Sequence, residues 1–140
     1  MTRSQTAAAL VIIGWLAAGS GLAQAPTLDG IVEGGRMLVP LRGVFEHLGA
    51  SVQWYAPTRT VTIRDGTRVI VLQVDYPAGL VDGRQEDLEV PARLVAGRVY
   101  VPLRFAAEAL GAQVNYARGV AELRRSGEAA VRVHAVGGSY

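Results

Sequence analysis

A chain of 140 residues, half of them apolar, is long enough for one domain with a buried core. Its net charge of +2 makes no electrostatic case for nucleic acid or an anionic membrane. There is no cysteine and all 14 basic residues are arginine, which excludes disulfides, thiolate nucleophiles, thiolate metal sites and Schiff-base lysine chemistry.

Residues 1–25 read as an address rather than as part of the fold. Arg3 lies in a short polar start, Ala7 to Gly19 is apolar and uncharged, and small residues follow at Gly21, Ala23 and Ala25. These are the three regions of a secretory signal peptide. A spanning helix needs about 20 apolar residues, and this run is shorter and rich in alanine and glycine. An uncleaved anchor or a core helix is the alternative. Cleavage after Ala23 or Ala25 makes Gln24 or Pro26 the first exported residue, and residues 26–140 are expected to form a single domain.

That domain repeats itself. Residues 35–54 (GRMLVPLRGVFEHLGASVQW) and 97–116 (GRVYVPLRFAAEALGAQVNY) align at a constant offset of 62 without a gap, and eleven of the twenty positions are identical. Repeat one is taken as 31–75 and repeat two as 93–136. In each copy a short extended run, 36–39 or 98–101, leads to a proline. Pro40 and Pro102 bias the preceding residue toward β and suit the first turn of a helix. A helical stripe follows: Leu41, Val44, Phe45 and Leu48, then Leu103, Ala106, Ala107 and Leu110. Gly49 and Gly111 fall where a left-handed cap ends the helix. Helices of two to three turns are too short to persist alone, so their stripes must pack on sheet.

Strands are expected at 51–55 and 60–64 around a turn at 56–59, and at 69–74. The second copy repeats them at 113–117, 120–124 and, after Ser126-Gly127, 130–136. Between the copies, 79–82 and 88–90 flank Asp82-Gly83, a hairpin signal. The fold class is therefore α+β: a twisted antiparallel β-sheet packed around two short helices, built from two copies of a strand-helix-β-meander. Each copy, at about 45 residues, is marginal for a core of its own, so one cooperative domain is expected.

The doubled string G-R-x-x-V-P-L-R-x-x-x-E-x-L-G-A-x-V, with the stretch from Val69 through Leu80-Val81-Asp82-Gly83 to Leu94-Val95-Ala96-Gly97-Arg98, resembles the copper amine oxidase N-terminal-like domain, or stalk domain. The resemblance covers nearly all of residues 26–140. It implies an antiparallel sheet wrapped around a helix in a protein exported across a bacterial membrane, often beside another domain and outside the oxidase's catalytic region. One departure is at the start: Pro26–Gly30 is shorter than the strand pair that precedes the first Gly-Arg in that pattern.

A copper–quinone site like that of the oxidases would need three histidines and a tyrosine within Asn-Tyr-acidic. The chain has His47 and His134, and Asn115-Tyr116 is followed by Ala117. Tyr116 aligns with Trp54 and reads as a core or rim aromatic. His47, beside the apolar stripe, and His134, alternating with Val131 and Val133, read as exposed. Arg42/Glu46 and Arg104/Glu108 are i, i+4 pairs: either surface ion pairs, or anchors by which each arginine fixes its helix to the sheet or to the other copy. Glu86, Asp87 and Glu89 read as a solvated acidic loop, with capture of a cation or basic partner as the alternative. Arg124-Arg125 is too short for a nucleic-acid patch. No phosphate loop, nucleophile elbow or zinc signature appears.

The expected protein is not an enzyme and takes no cofactor or metal. Its structural motif is Arg36, Pro40, Arg42, Glu46, Gly49, Arg98, Pro102, Arg104, Glu108 and Gly111. Its expected function is a non-catalytic, exported stalk-like interaction module in the periplasm, cell envelope or extracellular space. Expected partners are a protein, peptidoglycan or polysaccharide, met through sheet edges, the 82–89 loop or the 137–140 tail. Nucleic acid is not a partner, and a membrane is one only if residues 1–25 stay attached. A structural spacer or a loop-presenting, inhibitor-like domain is the alternative, and an enzyme the third.

Overall fold

The structure, a computed structural model, describes residues 25–136. The segment read as a signal peptide lies outside them except for Ala25, as does the 137–140 tail. The elements are β1 (Thr27–Glu33), β2 (Arg36–Pro40), α1 (Leu41–His47), β3 (Ser51–Tyr55), a 3-10 turn (Ala56–Thr58), β4 (Thr60–Asp65), β5 (Arg68–Gln73), β6 (Ala78–Val81), β7 (Arg84–Asp87), β8 (Arg93–Val95), β9 (Arg98–Pro102), α2 (Leu103–Leu110), β10 (Gln113–Ala117), β11 (Val120–Arg124) and β12 (Val131–Ala135).

Alternation builds the strands. Val61 and Ile63 of β4, Ile70 and Leu72 of β5, Ala121 and Leu123 of β11, and Val131 and Val133 of β12 turn inward, and all are buried. The strands form two sheets rather than one. Seven strands run in the order β10-β11-β12-β1-β2-β9-β8, and five in the order β3-β4-β5-β6-β7. The larger sheet is not wholly antiparallel: β1 lies parallel to β12, pairing Thr27 with Arg132 through Gly30 with Ala135. A parallel neighbour is a long-range partner and leaves no hairpin signal in the sequence. β1 is also longer than the 26–30 stretch suggested, because β2 pairs with its other end from Ile31↔Leu38 to Glu33↔Arg36. At Gly30 a Cβ would stand 2.8 Å from the Leu38 carbonyl oxygen, so the strand passes its neighbour only without a side chain there.

Each helix begins where the proline ends. Pro40 is the last residue of β2 and the N-cap of α1 at φ −67°, ψ 120°, and Pro102 plays the same part for α2. Both sit one position earlier than the first helical turn, because the extended ψ leaves helical geometry to start at the following leucine. α1 buries Leu41, Val44 and Phe45, followed by Leu48. α2 buries Ala106, Ala107, Ala109 and Leu110, while Leu103 is half-buried. Gly111 caps α2 at φ 66°, ψ 32°. Leu48 is the C-cap of α1, and the left-handed turn comes at Gly49 with φ 100°.

α1 packs on β3 and on β9, α2 packs on β2 and β9, and the helices touch each other. Side chains from both helices and both sheets join one hydrophobic cluster around Phe45, which is fully buried. Burying a phenylalanine completely stabilises the fold by about 2–3 kcal/mol.

The segment between Gly79 and Val90 differs from the expectation. Asp82-Gly83 is a two-residue turn with φ of 52° and 83°, and the returning strand is β7, Arg84–Asp87, not 88–90. Glu86 and Asp87 are therefore strand residues. β7 is a sheet edge with all four residues exposed, so it has no apolar alternation to read. Leu88 leaves the strand to be buried, its N–H donating to the Pro77 carbonyl. β5 ends at Gln73 because the Val74 N–H turns to the Arg59 carbonyl.

Candidate functional site

A groove of about 800 Å³ opens beside α1, between β1, β3 and the β8–β9 hairpin. The helical period places Arg42 and Glu46 on one face of α1, and the strand period places Val52 and Trp54 on one face of β3. Leu41, Val52, Val61 and Val99 supply the apolar floor, Trp54 forms a wall and remains 38% exposed, and Asp29 and Arg98 reach in from β1 and β9.

The Arg42 guanidinium donates to Glu46 Oε2 at 2.7 Å and reaches the Val52 carbonyl oxygen at 3.4 Å. It is at once a surface ion pair and a tie from helix to sheet. Arg98 has no hydrogen-bond or ion-pair partner among the described residues, which leaves its donors available to a ligand.

Arg93 positions the wall that carries Arg98. Its guanidinium donates to Glu33 Oε2 at 2.9 Å through Nε and to Asp75 Oδ1 at 2.9 Å through Nη1. It thereby ties β8 to β1 and to the turn after β5. Hydrogen bonding to Glu33 first, and then to Asp75, raises its pKa further above the ordinary arginine value. A raised pKa holds the cation below that value and releases it only in stronger alkali, so the tie is intact throughout the neutral range. Nothing local to Arg93 announces this role, since its partners are 60 and 18 residues away.

The other sequence-selected residues divide. Arg36 pairs with Glu89 at 3.2 Å. Arg104 and Glu108, both exposed on α2, form no ion pair with each other among the described residues, unlike Arg42 and Glu46. Trp54 and Tyr116, 38% and 59% exposed, are rim aromatics rather than core ones. His134 is exposed as expected, but His47 is half-buried, and its Nε2 is shielded from water without a hydrogen-bond partner among the described residues. His47 lies beside the stripe as the last residue of α1. Among the described residues no group of three or more His, Cys, Asp or Glu side chains could hold a metal, and no helix is long and apolar enough to cross a membrane.

Residues 21–123 match the family model described as copper amine oxidase N-terminal domain. Over 79 residues the chain is 35% identical to a Brevibacillus choshinensis protein named "Protease inhibitor", a stretch covering 56% of this chain and 24% of that protein. The chain thus spans about a quarter of the length of that relative.

Proposed function

The chain belongs to the copper amine oxidase N-terminal domain family, and we propose that it is a non-catalytic, exported interaction module that holds a cell-envelope or extracellular partner in the groove beside Trp54. The observation carrying this reading is the groove's composition: an exposed tryptophan, an oriented Arg42–Glu46 pair and Arg98, without a partner among the described residues, over an apolar floor. Aromatic and arginine anchors beside buried apolar surface are the usual source of binding energy. The family matched is an N-terminal domain of the oxidases, which accords with a binding role rather than redox chemistry. Within the module the two sequence copies act as one domain over residues 26–140, each helix resting on a strand of the other copy.

The test is co-sedimentation of the purified 26–140 chain with insoluble cell-envelope polysaccharide and peptidoglycan. Retention is expected, and Trp54→Ala, with an unchanged melting temperature, is expected to weaken it strongly. Retention indifferent to Trp54→Ala would overturn the groove. The name of the Brevibacillus choshinensis relative favours a second reading, an inhibitor. Stoichiometric inhibition of secreted proteases, with no retention on envelope material, would replace the first reading with that one.

A further inference from the structure

We propose that the Trp54 groove has a functional twin around Tyr116, and that the two take the same ligand class, an uncharged polysaccharide. The inference rests on the reading of the Trp54 groove as a binding site. The second groove, about 470 Å³, lies between the start of β2, α2 and β10. Nine of its eleven lining residues have a counterpart in the aligned repeat, 62 positions away, that lines the first groove, Glu89 and Ala107 being the exceptions. Tyr116 stands for Trp54, Arg104 for Arg42, Glu108 for Glu46, and Arg36 for Arg98. Each groove is composite. The first takes its helix and aromatic strand from 35–54 and its Gly-Arg edge from 97–98; the second takes its helix and aromatic strand from 97–116 and its Gly-Arg edge from 35–36. The β2–β9 ladder makes this exchange, since Leu38↔Pro102 and Pro40↔Tyr100 are the same pairing with the copies swapped.

The charges choose the ligand. The first groove sets Arg42 and Arg98 against Asp29 and Glu46, and the second sets Arg36 and Arg104 against Glu89 and Glu108. Each is neutral as a whole, offering donors and acceptors around one exposed aromatic ring. An anionic chain would meet two carboxylates, and an apolar helix would bury charges without partners. A sugar ring has hydroxyls that donate to carboxylates and accept from guanidinium, and a C–H face that covers an aromatic ring. In each groove one arginine is paired, at 2.7 Å to Glu46 or 3.2 Å to Glu89, while Arg98 and Arg104 have no partner among the described residues. Each groove therefore keeps one guanidinium ready. Two such sites on one domain bind a polymer with avidity where one polymer chain engages both, although each alone is weak.

The probe is a β-1,4-linked N-acetylglucosamine tetramer, titrated calorimetrically into the 26–140 chain. Two equivalents are expected to bind. Trp54→Ala and Tyr116→Ala, both at exposed positions, should each leave one, and the double variant none. On the insoluble polymer each single substitution should weaken retention about 100-fold as avidity is lost. One equivalent, lost with Trp54→Ala and untouched by Tyr116→Ala, would overturn the twin site and leave the first groove standing. Retention on envelope material through Trp54 with no heat from the tetramer, or displacement by peptide and not by sugar, would overturn the ligand class alone.

Discussion

Val39 and Val101 face each other across β2 and β9, both fully buried, and they are the same position of two segments 62 residues apart. The pairs on either side, Leu38↔Pro102 and Pro40↔Tyr100, exchange when the segments are exchanged. The Val39–Val101 pair therefore sits on the local twofold of this ladder, and the halves of the chain meet there.

Val101→Ala should destabilise the whole molecule by about 2 kcal/mol, the loss of two buried methyl groups plus a small cavity. Trp54 is the one tryptophan in residues 26–140 and reports from the five-stranded sheet, while far-UV circular dichroism reports from the whole chain. Coincident denaturation curves, shifted together, are expected. Separate transitions would mean that the halves are independent units.

The two helix caps should differ in tolerance. Gly49 has φ 100°, and a Cβ there would stand 2.9 Å from Glu128 Oε2; Gly111 has φ 66° with nothing within 4 Å of such a Cβ. Gly111→Ala should cost about 1 kcal/mol for the left-handed backbone, and Gly49→Ala more than that. The difference comes from the backbone, since φ 100° lies outside the left-handed region open to L residues while φ 66° lies within it, and equal thermal shifts for the two variants would contradict it.

The ion pairs should separate by burial. Arg125 Nη2 donates to Asp65 Oδ1 at 2.7 Å, with the side chains 24% and 12% exposed, and Arg125 Nη1 is buried without a partner among the described residues. Asp65→Ala strands a half-buried guanidinium and should cost about 2 kcal/mol. Glu46→Ala breaks an exposed i, i+4 pair and should change stability by less than about 0.5 kcal/mol. Urea midpoints measure both, and a larger loss at Glu46 would contradict the ranking.

Copper chemistry is predicted to be absent. His47 lies on α1 and His134 on β12, in different layers of the fold, and a tight site needs ligands converging at about 2 Å from the metal. Calorimetry with Cu²⁺ should show only weak surface binding, and primary amines should yield no hydrogen peroxide. Stoichiometric tight copper, or amine-dependent peroxide, would reverse the non-enzymatic reading.

Local patterns made part of this molecule legible. The Leu41 and Leu103 stripes, the glycines after them, and the meanders through Val61–Ile63 and Val131–Val133 are written within a few residues of each other. β1, β7 and β8 are not written that way. β1 owes its place to a parallel partner a hundred residues on, and β7 is polar on both faces because it is an edge. The groove was illegible for the same reason, since Trp54, Asp29 and Arg98 come from three strands that only the assembled sheets bring together. His47 shows the limit on a helix, where a position beside the stripe is nonetheless half-buried.

The decisive measurement is a map of amide chemical shifts in the ¹⁵N-labelled 26–140 chain as the β-1,4-linked N-acetylglucosamine tetramer is added. Binding in the grooves predicts shifts at Gly43, Val52, Trp54, Gly97 and Arg98, including the Trp54 indole N–H, with a second set at Gly35, Arg36, Val114 and Tyr116. Shifts confined to the β7 edge at Arg84–Asp87, or none at saturating sugar, would contradict it.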